Sequence, residues 1–385
     1  MKIAVIGLYY ASNLGDAIIC DCVADWMKST YPDAQVDVID IENKRGFPVQ
    51  SSISELTRKR RKWNLWKDCW LTKHKIDDRI YYWNSIDVAS RSAFYDEVGQ
   101  RGYDAVIFAG GQLFMDWLSL DICEFLKRFE ETATPVFFNA CGVGSAVSEK
   151  IQKLLSKRLK AGNVRLISSR DDVECIERRY LDGSRGSVMA TFDPALWSKK
   201  TYGQEKKQSH TVGLGVMYFE QASQHKMTRF WIDVIHKLEN QGKDWKMFCN
   251  GDLADYEYGC RILEKMGKNP DEYILRCASS PRELVAQIAG FESIIAFRLH
   301  SHIVATSFGI PGVAVAWDEK LRFFYRHLGH PERCRTIKDT GDTIINVLNK
   351  AVREGVDMTM IEKQKNFSKN LLLNSIGQVI GNEQR

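Results

Sequence analysis

The chain has 385 residues and a mass of 44.1 kDa, with 44% hydrophobic and 27% charged residues. That composition excludes collagen, disorder and a disulfide-stapled miniprotein, and it accommodates two α/β domains. A net charge of +5, from 54 basic and 49 acidic residues, is too small to imply nucleic acid as a partner. No apolar run approaches the roughly 20 residues of a membrane span, and Met1–Gly7 reads as a strand rather than a secretory signal. The ten cysteines form no CxxC pair and read as reduced, mostly buried thiols of a cytoplasmic protein. No metal site and no cofactor are expected.

Lys2–Ile6 is a short apolar run, followed by the loop Gly7–Gly15 and by Asp16–Thr30, where Ile18, Ile19, Cys22, Val23, Trp26 and Met27 recur at helical spacing. Val36–Ile41 is a second strand. Strand, loop, helix and strand in this order make a βαβ unit, so the sheet is expected to be parallel. Further strands are expected at Asp104–Phe108, Pro135–Asn139, Arg165–Ser168 and Val188–Ala190. Lys199–His210 is polar, lacks any period and reads as a linker.

Beyond it the alternation restarts. Strands are expected at Thr211–Val216, Trp245–Cys249, Ser293–Phe297 and Gly312–Trp317, and helices at Met227–Asn240, Asp255–Met266, Pro281–Gly290 and Ser301–Phe308. The tail from Asp342 is helical in pattern and is expected to cross back to the first half. The fold expected is therefore α/β: two Rossmann-like lobes, residues 1–204 and 205–385, with mainly parallel sheets facing a central cleft, where ligands bind at the strands' carboxyl ends.

Five stretches carry the chemistry. The loop Asn13-Leu14-Gly15-Asp16 leads from a strand into a helix, so backbone N–H groups there can face an anion; a plain turn is the competing reading. Gly110-Gly111 and Gly142–Gly144 follow strands and put glycine where a backbone must approach something closely. Arg170, at another strand end, can make a bidentate pair with a carboxylate or phosphate, or an internal ion pair with Asp193. Arg298-Leu299-His300 is the most informative: a buried strand runs straight into a guanidinium, an imidazole and a helix start, which together suit a small, doubly charged acid. Lys320 follows the next strand and is expected in the same cleft. His302, deeper in that helix, reads as a core residue. The fifth stretch, Arg58–Trp70, is basic and aromatic. If it is helical, Trp63, Trp66 and Trp70 share one face; packing of that face on the first lobe is the favoured reading, and peripheral contact with the inner face of the plasma membrane, whose headgroup layer such a face suits, is the alternative, a pattern nucleic acid would also accept.

Taken as an ordered set, these motifs resemble the polysaccharide pyruvyltransferase family. The resemblance runs from Asn13–Asp16 through Gly110-Gly111, Gly142–Gly144, Arg170-Asp171 and Asp193-Pro194-Ala195 to Arg298-Leu299-His300, Gly309-Ile310-Pro311 and Lys320. Gln112 stands where the family usually has a third glycine, and Phe297 where a small residue is usual. The resemblance implies a GT-B-like fold and transfer of an enolpyruvyl-derived unit from phosphoenolpyruvate to sugar hydroxyls, giving a pyruvate ketal on a polysaccharide or glycolipid precursor. The acceptor is then a sugar, a nucleotide sugar or a lipid-linked oligosaccharide, met on the side of the first lobe. His300 and Arg298 are the catalytic candidates. Arg170, Lys320, Asn13, Gly15, Asp16, Gly110, Gly111 and Asp193 are the substrate-binding ones. His300 serves as proton donor or as base. Two alternatives share the fold: a glycosyltransferase using a nucleotide sugar, with Asp252 or Asp255 on the ribose, and a catalytically silent sugar-binding protein.

Overall fold

The computed structural model describes residues 1–47, 52–55, 58, 76–144, 146, 148–183, 186–219 and 224–380. Trp63, Trp66 and Trp70 lie outside the described residues. In the first half the chain runs β1 (Lys2–Gly7), α1 (Gly15–Thr30), β2 (Gln35–Asp40), α2 (Ile76–Ser90), α3 (Ser92–Gly99), β3 (Ala105–Phe108), β4 (Gly111–Phe114) and α4 (Asp116–Glu131). It continues with β5 (Val136–Phe138), β6 (Cys141–Val143), α5 (Glu149–Leu159), β7 (Val164–Ser169), α6 (Val173–Tyr180) and β8 (Met189–Ala190). Six of these strands form a parallel sheet in the order β2-β1-β3-β5-β7-β8. The β1 run Ile3–Ile6 is fully buried because helices cover both faces of such a sheet.

A 3₁₀ turn (Pro194–Trp197) and α7 (Ser198–Tyr202) lead to the second half. There follow β9 (Val212–Gly215), α8 (Gln224–Asn240), β10 (Trp245–Phe248), α9 (Leu253–Lys265), α10 (Pro270–Tyr273), α11 (Pro281–Ile288), β11 (Ser293–Ala296) and α12 (Leu299–Ser307). Then come β12 (Gly312–Val315), α13 (Glu319–His327), β13 (Cys334–Arg335), α14 (Gly341–Glu354) and α15 (Met358–Ile380). Their sheet is also parallel, in the order β10-β9-β11-β12-β13.

Both sheets share one topology. Each begins at an interior strand, steps outward once, then reverses to the other side. The reversal falls between β1 and β3 in the first sheet and between β9 and β11 in the second. Crevices in open α/β sheets form at such reversals, outside the strands' carboxyl ends. The residues standing there are Gly7, Ala109-Gly110-Gly111, Val216 and Phe297-Arg298.

Four expectations are corrected. The glycine turns at 111 and 142 are not bare turns, because β4 and β6 pair in parallel as a separate two-stranded ribbon. The helix after Arg298 begins at Leu299 rather than Ser301; Arg298 is its extended N-cap, and His300 sits in its first turn. The helix after the first loop begins at Gly15, one residue before the expected Asp16, which is therefore a first-turn residue. The stretch read as a linker starts with a helical turn, Ser198–Tyr202, ended by Gly203 at φ 59°. The crossing-back of the tail is observed: Ile361, Leu372 and Ile376 of α15 join one apolar cluster with Ile3, Val5 and Trp26, and Ser368 Oγ bonds Thr191 Oγ1 and the Phe192 N–H at 3.1 and 3.0 Å.

Candidate active site

Two helices start at the cleft, α1 behind β1 and α12 behind β11. Each directs the positive end of its dipole to the space between the lobes. They meet there. The His300 ring lies so close to Gly15 that no side chain fits at residue 15. The preceding loop is docked on the second lobe: the Leu14 N–H donates to Asn250 O at 2.9 Å, and Ser12 Oγ donates to Asp252 Oδ2 at 3.1 Å. Asn250 in turn accepts from Ser301 Oγ at 2.7 Å.

Around His300 stand three cations from both lobes. Arg170 is 6% exposed. Its Nη1 donates to Asp193 Oδ2 and lies 3.2 Å from His300 Nε2. A guanidinium only donates, so Nε2 holds a lone pair toward Arg170, and the proton of the neutral ring belongs on Nδ1. Arg298 Nε donates to the buried Asp255 Oδ2 at 2.6 Å, while Asp255 Oδ1 accepts the Tyr218 N–H at 2.8 Å. Lys320 pairs with Asp318 at 3.0 Å and reaches Gln112 Oε1 of the first lobe at 3.5 Å. Gln112 is itself fixed by its Nε2–H bond to Val143 O, 2.8 Å long.

The titrations follow from this crowding. Burial, then Arg170, Lys320 and Arg298, push the His300 imidazole well below the ordinary histidine range, so the ring is neutral at neutral pH. Burial raises the Asp16 carboxyl, opposed by Arg170, Lys320, Arg298 and a bond from Asn13. Burial also raises Asp255, with Arg298 pulling the other way. Burial works against the charge of Arg298, and Asp255 outweighs it, so that guanidinium stays charged.

The site candidates therefore occupy one cleft but not one role. Asn13 Nδ2 donates to Asp16 Oδ2 at 3.3 Å. Gly110 and Gly111 have φ of 119° and 85°, a region that favours glycine; a Cβ at 111 would lie 3.0 Å from Asp16 Oδ1. Asp193 is committed within the protein: Oδ2 holds Arg170, and Oδ1 accepts the Ala195 N–H at 2.8 Å. Asp252 and Asp255, the ribose candidates of the nucleotide-sugar reading, are committed too, the first as N-cap of α9 and the second as partner of Arg298. His302 is a core residue: its Nε2–H donates to Ala296 O at 2.9 Å, and its Nδ1 accepts from the Tyr325 hydroxyl at 2.9 Å.

Residues not singled out from the sequence also belong here. Asn139, at the end of β5, is 1% exposed, and neither of its side-chain polar atoms has a partner among the described residues. Arg170 Nε and Asn250 Nδ2 share that condition. Unpaired buried polar atoms are costly, and these stand beside an anion-favouring helix pair. An asparagine ending an apolar strand run was the available signal for Asn139. Away from the cleft, His330, Glu332 and Glu354 group their ligand atoms within 4.8 Å, but Glu354 is taken by Arg333 and Lys350, and His330 bonds Glu332. Among the described residues no helix is long and apolar enough to cross a membrane.

Comparison with known proteins adds three findings. The family model described as polysaccharide pyruvyl transferase matches residues 13–319. An Erwinia amylovora protein described as amylovoran biosynthesis protein AmsJ is 22% identical over a 381-residue alignment covering 89% of each chain. Among solved structures, the S. aureus MnaA–UDP co-structure is similar at a TM-score of 0.58 and 11% identity, over 99% of this chain and 97% of that one. The Neisseria meningitidis UDP-GlcNAc 2-epimerase bound to UDP-GlcNAc gives 0.55 and 9%, over 98% and 100%. These likenesses concern the fold, which is the two-lobed, GT-B-like arrangement of parallel sheets.

Proposed function

The chain belongs to the polysaccharide pyruvyl transferase family, and from that premise we propose that it moves the enolpyruvyl-derived unit of phosphoenolpyruvate onto sugar hydroxyls of a polysaccharide or glycolipid precursor, forming a pyruvate ketal. The observation that carries this reading is the gathering of Arg170, Arg298 and Lys320 from two lobes around one neutral imidazole. Phosphoenolpyruvate carries a carboxylate and a phosphate. Two guanidiniums, an ammonium and two helix N-termini match that charge and its forked geometry. Arg170 Nε–H makes no hydrogen bond among the described residues and faces Asp171 Oδ1 only at 3.8 Å, which suits an incoming anion.

The imidazole then has a defined task. Arg170 covers its Nε2 lone pair. An anion that engages Arg170 frees that lone pair, so His300 becomes a base for the attacking hydroxyl as the donor binds. The arginines stabilise charge on the departing phosphate. The likeness to an amylovoran biosynthesis protein supports a biosynthetic acceptor, whether a free sugar, a nucleotide sugar or a lipid-linked oligosaccharide.

The test is a thermal-shift titration with phosphoenolpyruvate on the wild type and on Arg298→Lys. A ligand that binds the native state alone raises the melting temperature by mass action. The reading expects a dose-dependent rise in the wild type, much reduced in the variant. No rise with millimolar phosphoenolpyruvate, together with a rise on uridine diphosphate, overturns it in favour of a nucleotide-sugar enzyme.

A further inference from the structure

Transfer from phosphoenolpyruvate needs a proton at the methylene carbon of the donor. On that reading of the function, on which the assignment rests, we propose that Asp16 is the acid that delivers this proton, acting opposite His300 across the Gly15 contact.

The placement comes first. Asp16 follows Gly15, and Gly15 touches the His300 ring, so carboxyl and imidazole border the same small volume from opposite lobes. Asp16 is half-buried at the cleft. Its Oδ2 is held by Asn13, and its Oδ1 stands over Gly111, where the absent side chain leaves the approach open. Asp193 and Asp255 each have both oxygens bonded. Asp171, beside Arg170, and Asp318, paired with Lys320, each keep one buried oxygen without a hydrogen bond among the described residues, and that of Asp171 is packed against Gly142. Asp16 is the carboxyl that adjoins the Gly15–His300 contact.

Electrostatics points the same way. The groups facing Asp16 are Arg170, Lys320 and Arg298 from other elements, Asn13 from its own loop and the Cys20 thiol one turn on. Even against three cations, burial holds the carboxyl above its usual range. A bound trianion offsets those cations and strengthens its hold on the proton. The same burial keeps the His300 ring neutral, so the environment favours the protonated acid at Asp16 and the free base at His300, the forms in which an acid and a base begin.

The step balances. The Asp16 O–H bond breaks as the C2=C3 electron pair forms the new C–H bond, which leaves positive charge at C2 shared with the bridging phosphate oxygen. The first sugar hydroxyl bonds to C2 and gives its proton to His300. The bond from C2 to the phosphate oxygen breaks, the second hydroxyl bonds to C2, and its proton leaves with inorganic phosphate. The proton on His300 returns to Asp16, restoring both groups.

The test compares wild type, Asp16→Asn and Asp16→Glu. Two readouts are taken: thermal stabilisation by phosphoenolpyruvate, and phosphate release with a pool of methyl glycosides of galactose, glucose, mannose and N-acetylmannosamine. Asp16→Asn is expected to keep the stabilisation and lose about 10²–10⁴ in turnover. Asp16→Glu, which retains an acid, is expected to recover at least about a tenth of wild-type turnover and, in D₂O, to place one deuterium in the product methyl as the wild type does. Asp16→Asn within about threefold of wild type overturns the proposal. So does loss of stabilisation in that variant, which makes Asp16 a donor anchor, and so does a Glu variant as inactive as Asn, which makes its role geometric. A wild type that releases no phosphate overturns the functional reading itself, whatever the variants do.

Discussion

The His300 imidazole fills the space that a side chain on Gly15 would need, with Cβ, Cγ and Nδ1 all inside van der Waals contact of that position. Gly15→Ala must therefore displace the ring or the start of α1. Overpacking of this kind costs about 1–3 kcal/mol, and misplacing a reacting group by an ångström costs about 10² in rate. The variant is expected to melt a few degrees lower, keep donor binding within a few-fold and lose about 10² in kcat. Unchanged kcat in a folded Gly15→Ala would remove His300 from the chemistry.

Arg298 is bound to a carboxylate that is 1% exposed. Arg298→Ala thus has two effects: it removes a donor anchor and leaves Asp255 buried without its cation. Breaking a buried pair from one side costs about 3–5 kcal/mol, whereas replacing both members by apolar residues is often neutral. Arg298→Met combined with Asp255→Leu is expected to regain most of the stability lost by Arg298→Ala, read by urea unfolding, and none of the stabilisation by phosphoenolpyruvate. Recovery of both would mean that Arg298 serves the fold alone.

His302 gives a pH dependence of defined sign. Burial lowers its pKa from 6.5 to about 4. Between those values the unfolded chain binds a proton that the folded chain refuses, so this group's contribution to stability falls as the pH drops from 6.5 toward 4. The slope is at most about 1.4 kcal/mol per pH unit. Unfolding free energies of wild type and His302→Asn measured from pH 7 to 4 are expected to converge as the pH falls. Parallel curves would show that the imidazole titrates normally.

Gln112 holds Lys320 across the cleft. Gln112→Gly removes a long hydrogen bond from the Lys320 ammonium; bonds to charged groups contribute about 1.5–3 kcal/mol, so the KM for phosphoenolpyruvate is expected to rise by about tenfold and by no more than about a hundredfold, with kcat little changed. Gln112→Glu puts a carboxylate in reach of Lys320, where it competes with the donor, and is expected to raise KM further. A lower KM in the Glu variant would place Lys320 off the donor.

The strand ends could be read from the chain because each apolar run stops at residues with a distinct chemistry: Gly7, Gly110, Arg170, Arg298. Which partners those residues take could not. Arg170 meets His300 across 130 positions, Lys320 meets Gln112 across 208, and Leu14 meets Asn250 across the cleft. No local period encodes such pairs, since they arise only when two sheets face each other. The β4–β6 ribbon escaped for a related reason. Its strands are short, and their glycines resemble turns until the second strand is brought alongside. Asp255 is the instructive case: by type and place it suited a ribose, and only the burial of its oxygens against Arg298 and Tyr218 assigns it to the site's own support.

The last helix has a mechanical consequence. The polypeptide passes from the first lobe to the second through residues 203–211 and returns between α14 and α15, whose residues are bonded to the first lobe by Ser368 and Lys369. The apolar cluster that α15 joins also holds Leu299 and Ile303 of the second lobe, so the returning helix works as a strap, tying down both lobes behind the face where Arg170 and Arg298 meet.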